Sequence, residues 1–145
     1  MKSFLLVDKR PIIKWNMLPD NVFYEGNVPE GYSLAVSPSE NYIVIDVDVD
    51  LKNNKNGFLN IPSSLKIELD NTFNYITKRG GRHYWFKYTG EKSLGNKTSV
   101  YSIDLRTNKG YVVWYPKQDV RECLHLVNKT SKKLNVWLEE LFSYV

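Results

Sequence analysis

A chain of 145 residues and 17.0 kDa has the usual size of one domain. With 42% hydrophobic and 25% charged residues it is neither disordered nor fibrous. A net charge of +4 accompanies a single cysteine, Cys123, which excludes an internal disulfide framework and a multi-cysteine zinc site. No apolar run approaches the roughly 18–20 residues of a membrane helix. The stretch Phe4–Val7 is too short for the apolar region of a signal peptide, so no membrane association and a reducing cytoplasm are expected. Residues 1–72 carry seven basic and ten acidic side chains, residues 73–145 thirteen and six. The second half is therefore a candidate surface for a polyanion.

In chain order, Tyr32–Val36 is a short apolar run and Asn41–Asp50 alternates over its second half, so both read as strands. Leu51–Gly57, rich in Asn, Lys and Gly, reads as a surface loop. Pro62–Leu69 reads as a short helix with proline near its first turn. Strands over Phe73–Thr77 and His83–Tyr88 flank a Gly-Gly pair, and strands over Ser99–Leu105 and Tyr111–Tyr115 flank Asn108-Lys109-Gly110, a hairpin turn. At the C-terminus, Leu134, Trp137, Leu138, Leu141 and Phe142 recur at helical period, with Ser131 or Thr130 as N-cap, giving an amphipathic helix over about residues 131–145. No repeat or linker divides the chain. The expected class is α+β: a mostly antiparallel sheet packed with two or three helices, in one domain spanning 1–145.

The strand around Asp46 carries the most chemistry. Side chains alternate faces, so Asp46, Asp48 and Asp50 share one face and Ile43, Ile45, Val47 and Val49 the other. Three like charges in a row repel, and a divalent cation such as Mg²⁺ would offset that cost. The alternative is the polar outer face of a half-exposed strand. Lys78–His83 joins two glycines to three cations and a histidine, either a phosphate-binding turn or a hairpin turn with ordinary surface charges. Asp104 and Arg106 share a strand face, as a surface ion pair or as a further metal ligand with its neighbour. His125, in an apolar stretch, reads as structural. Asp50 is a spare acid, solvated or capping a loop.

Taken in order, Ile43–Asp50 (IVIDVDVD), Thr77–Phe86 (TKRGGRHYWF) and Tyr101–Pro116 (YSIDLRTNKGYVVWYP) resemble the catalytic core of the archaeo-eukaryotic primase superfamily. The closest resemblance is to the bifunctional primase–polymerase domains of phages and plasmids. That family shows an acid-x-acid strand, a histidine motif after a glycine turn, and a strand ending in hydrophobic-Asp. Lys9-Arg10-Pro11 with Trp15 resembles its N-terminal element, so the resemblance covers about residues 9–116.

The resemblance implies a compact palm-like sheet related to the RNA-recognition-motif fold. It implies metal-dependent nucleotidyl transfer in DNA replication, by primer synthesis or template-directed polymerisation. Asp46, Asp48 and Asp104 would hold two Mg²⁺ or Mn²⁺ ions, and His83 would contact the triphosphate of the incoming nucleotide. By position, Lys78, Arg82 and Arg106 are added as nucleotide contacts. The implied partners are a single-stranded DNA template, ribo- or deoxyribonucleoside triphosphates, and a replicative helicase or other replication protein. The source would be a phage or plasmid, and the compartment the host cytoplasm. The alternatives are a reduced fold of this kind that binds nucleotide, DNA or a replication partner without turnover, and an unrelated nuclease using the same acids.

Overall fold

The computed structural model describes residues 1–142. Among them are eleven strands, the longer ones formed by the apolar and β-branched runs. These are β1 (Lys2–Val7), β2 (Arg10–Pro11), β3 (Tyr32–Ser37), β4 (Tyr42–Val47), β5 (Val49–Asp50), β6 (Lys55–Asn56), β7 (Asn74–Ile76), β8 (Arg82–Lys87), β9 (Ile103–Arg106), β10 (Val112–Val113) and β11 (Asn128–Lys129). Three helices accompany them: α1 (Lys66–Asn71), α2 (Val120–Cys123) and α3 (Lys132–Phe142).

One sheet has the order β10-β3-β1-β2 and is antiparallel throughout. In the other, β4 lies between β8 and β9. The outer edge of β8 is shared by antiparallel β7 and parallel β11. Strands β5 and β6 form a separate two-stranded ribbon. The class is thus α+β with mostly antiparallel sheets, compatible with a compact primase-type fold.

Burial explains why β4 begins as an unbroken apolar run. Ile43, Ile45 and Val47 face a core built with Leu65 and Leu69 of the α1 region and Leu134, Leu138 and Phe142 of α3. On the opposite face, Val44 and Trp85 pack against Val36 and Val112 of the other sheet. The first half of β4 is therefore covered on both sides. Asp46 lies on the Val44 face, beyond that second core, where a cleft opens between the sheets. The N-cap expected for α3 is Ser131, whose Oγ accepts the Leu134 N–H at 3.1 Å. Of the stripe on α3, Leu134, Leu138 and Phe142 are buried and Trp137 and Leu141 lie at its margin. The last three residues of the expected helix lie outside the described residues.

Three local expectations change. The Asn108–Gly110 turn forms, with the Gly110 N–H donating to Thr107 O at 3.0 Å, but it makes no hairpin. Strand β9 pairs with β4 and β10 pairs with β3, so the turn passes the chain between sheets. The reason is burial in different layers: Ile103 and Leu105 belong to the helix-facing core and Val112 to the core between sheets. The strand expected from Ser99 starts only at Ile103, after Ser102 adopts a left-handed conformation at φ 61°. The Asn41–Asp50 ladder stops at Val47, and Val49–Asp50 turns away to pair with β6.

Candidate active site

The register of the central strands sets the site. Asp46 lies opposite His83 on β8 and opposite Asp104 on β9, and His83 lies opposite Tyr75 on β7. Directly paired residues point to the same face, so Tyr75, His83, Asp46 and Asp104 form a row across four strands. Asp48 follows just past the end of β4. Its N–H donates to Ser102 O at 2.8 Å, and its carbonyl accepts the Gly57 N–H at 2.8 Å. This brings one carboxylate oxygen from each of Asp46, Asp48 and Asp104 within 4.8 Å of the others.

Such crowding raises the cost of ionisation. The Asp48 carboxyl is pushed up to about 6, first by lost hydration and then by the charges of Asp46 and Asp104. Its side chain still reaches solvent at the mouth of the site, but the surrounding protein displaces part of its water shell. Burial also raises Asp104, with Arg106 opposing that shift and Asp46 adding to it. Arg106 Nη2 stands 3.4 Å from Asp104 Oδ2. Asp46 Oδ1 is buried without a hydrogen-bond partner, 3.4 Å from His83 Nε2. An orphaned anionic oxygen beside two more carboxylates is the donor set that hard divalent cations take.

The site opens into a cleft of about 600 Å³ between the two sheets. Asp46, Asp48, His83, Asp104, Arg106 and Lys78 all line it. Arg82 does not. It alternates to the helix-facing side of β8, where its Nη1 donates to Asn74 Oδ1 at 2.8 Å. Asp50 also stands apart, accepting from Asn53 Nδ2 at 2.8 Å in the ribbon turn. The two glycines of the turn do different work. Gly80 takes φ 88°, closing a turn in which its N–H donates to Thr77 O at 3.1 Å. Gly81 permits close approach, since a Cβ there would stand 2.1 Å from the Val47 carbonyl. That approach is to the strand carrying the acids.

Three cleft residues were missed as site residues, Lys9, Arg79 and Tyr115, and so was Tyr75, which stands behind His83 rather than in the cleft. Lys9 enters the sequence reading only through the N-terminal element. The signal for Tyr75 was present, because a hairpin centred on Lys78–Gly80 places residue 75 opposite residue 83. Burial raises the Tyr115 phenol, with the Lys78 backbone opposing that shift. Nothing in its local sequence separates it from the other aromatics.

The family model described as bifunctional DNA primase/polymerase, N-terminal, matches residues 7–136, a span that contains every residue of the site. The chain belongs to this family. Membership in the bifunctional primase/polymerase family supports a primase- or polymerase-type role in DNA replication, with DNA and nucleotides as substrates. The family is metal-dependent in general, and the Asp46–Asp48–Asp104 cluster supplies a suitable place for ions. Among curated proteins no relative matches at a significant level. Among the described residues no helix is long and apolar enough to cross a membrane.

Proposed function

We propose that the chain is a metal-dependent nucleotidyltransferase that extends or initiates a strand on a single-stranded DNA template. One observation carries this reading: three carboxylates and His83 converge on one open cleft whose rim is cationic. Asp46, Asp48 and Asp104 would hold Mg²⁺ or Mn²⁺. When bound, the ions activate the attacking 3′-oxygen and stabilise the pyrophosphate leaving group. Lys78, Arg79 and Arg106 offset the charge of the nucleoside triphosphate, and Arg106 doubles as the partner that orients Asp104. His83 stands beside Asp46 and donates from Nε2 to a phosphate oxygen. In the reaction the 3′-hydroxyl gives up its proton to solvent, its oxygen bonds to the α-phosphorus, the bond from that phosphorus to the bridging oxygen breaks, and pyrophosphate departs with the electron pair. On the resemblance of its motifs we place the protein in the replication of a phage or plasmid, acting in the host cytoplasm beside a helicase.

The test combines single-stranded template, Mg²⁺ or Mn²⁺ and labelled nucleotides, with the double variant Asp46→Asn/Asp48→Asn as control. Wild type should place label in products longer than any primer, and the variant should lose this by at least about 100-fold. Nucleotide or DNA binding with no product would instead make the chain a binding module. Shortened template would make it a nuclease.

A further inference from the structure

A buried hydroxyl stands behind the histidine of the site. Tyr75 Oη lies 3.0 Å from His83 Nδ1, 3.2 Å from Trp85 Nε1 and 3.5 Å from the Val113 carbonyl oxygen. The two rings of Tyr75 and His83 meet edge to face, with centroids 5.1 Å apart. Phe73 and Trp114 wall the tyrosine in. We infer that Tyr75 is a positioning residue: its hydroxyl donates to His83 Nδ1 and thereby fixes the tautomer whose Nε2–H points into the cleft. This deepens the proposed function and rests on it for its catalytic meaning.

The proton count supports the direction. An indole N–H can only donate, so Trp85 occupies one acceptor position of the hydroxyl. The single hydroxyl proton then goes to Nδ1 or to the Val113 carbonyl, and Nδ1 is nearer by half an ångström. Asp46 adds a weaker bias in the same sense from the other side of the ring. Its buried Oδ1 faces Nε2 at 3.4 Å and has no other partner. An unprotonated Nε2 would set two lone pairs against each other there. With Nδ1 accepting the tyrosine proton, the ring's own hydrogen sits on Nε2, facing Asp46 and the cleft. Burial holds the Tyr75 phenol above its ordinary range, so it keeps that proton. The chain Trp85–Tyr75–His83 thus runs from the core to the edge of the acid cluster, with each donor behind the ring matched to an acceptor and Nε2–H left facing Asp46 and the cleft.

Long-range ¹H–¹⁵N spectra of the metal-free protein read the tautomer directly, without need of activity. Wild type should show Nδ1 unprotonated and Nε2 protonated. In Tyr75→Phe, which keeps the ring in its aromatic surroundings, the two tautomers should mix. In steady-state extension the same variant should raise the nucleotide KM by roughly tenfold and change kcat by less than about twofold, the pattern of a misaimed binding group. Trp85→Phe, which leaves the tyrosine hydroxyl in place, should retain the wild-type tautomer. A wild-type spectrum with Nδ1 protonated, alone or together with Nε2, would overturn the inference. So would Tyr75→Phe with wild-type KM and an unmixed tautomer. A wild type that keeps the Nε2–H tautomer but joins no nucleotides would sink the enzymatic reading and leave the positioning contact standing.

Discussion

Asp48 shows how three carboxylates in one place conflict with stability. In the unfolded chain its carboxyl titrates at the ordinary 3.8, and in the native site at about 6. Between those values the native state holds a proton that the unfolded state has released. Acid therefore favours folding over this window, and the advantage disappears as pH rises through about 6. Above that, the native state bears the full cost of the charge, and below 3.8 it bears none. After discounting for the solvent that reaches this side chain, the cost is on the order of 1 kcal/mol. In metal-free protein, Asp48→Asn should accordingly raise the melting temperature at pH 7.5 by about 3 °C and leave it nearly unchanged at pH 3.5. Saturating Mg²⁺ or Mn²⁺ should reverse the order at pH 7.5, because only wild type then gains from the ion. Thermal unfolding with and without the metal reads both outcomes. Equal melting temperatures for the two proteins at pH 7.5 without metal would show that the acids do not crowd one another.

At the scale of elements, the β7–β8 hairpin and β4 are locked by absent side chains. A Cβ on Gly81 would meet the Val47 carbonyl at 2.1 Å and Thr77 Oγ1 at 3.1 Å, so the backbone of the strand or of the turn would have to shift. A Cβ on Gly80 would meet nothing within 4 Å, but its φ of 88° disfavours any L side chain. Gly80→Ala should therefore cost about 1 kcal/mol and Gly81→Ala more than about 2 kcal/mol in urea denaturation. The second variant should also weaken catalysis, since Val47 directly precedes Asp48. This hairpin was legible in the chain because its turn, its alternation and its cross-strand partner are all local. The same held for the acid-bearing β4 and for the stripe on α3. What stayed hidden depended on which layer an apolar residue enters. Ile103 and Val112 look alike in sequence, yet one packs under the helices and the other between the sheets, so the turn joining them makes no hairpin. Strand β1 was hidden for a related reason: Ser3, Phe4, Leu5 and Leu6 are all buried, so no alternation marks it. Arg82 shows the finer limit. Proximity in sequence placed it with the proposed nucleotide contacts, and strand alternation sends it to the opposite face.

Across the whole molecule, the two halves of the chain meet at the cleft with opposite charge. Asp46 and Asp48 come from the acidic half, and Lys78, Arg79 and Arg106 from the basic half, with Lys9 added from the N-terminal turn. The acids repel a nucleic-acid backbone while the exposed turn attracts it, so metal-free binding of single-stranded DNA should be weak and steeply salt-dependent. Each phosphate neutralised on a single strand contributes a slope of about 0.7 in the logarithm of affinity against the logarithm of salt. If Lys78 and Arg79 each engage one phosphate, Lys78→Ala/Arg79→Ala should flatten that slope by about 1.4. Asp46→Asn should act in the opposite sense, tightening metal-free binding at low salt through the loss of one repelling charge, with the slope little changed. Fluorescence anisotropy of a labelled oligonucleotide over a salt series distinguishes the two effects. An unaltered slope in the double variant would place the DNA path away from the glycine turn, leaving Lys78 and Arg79 to the nucleotide alone.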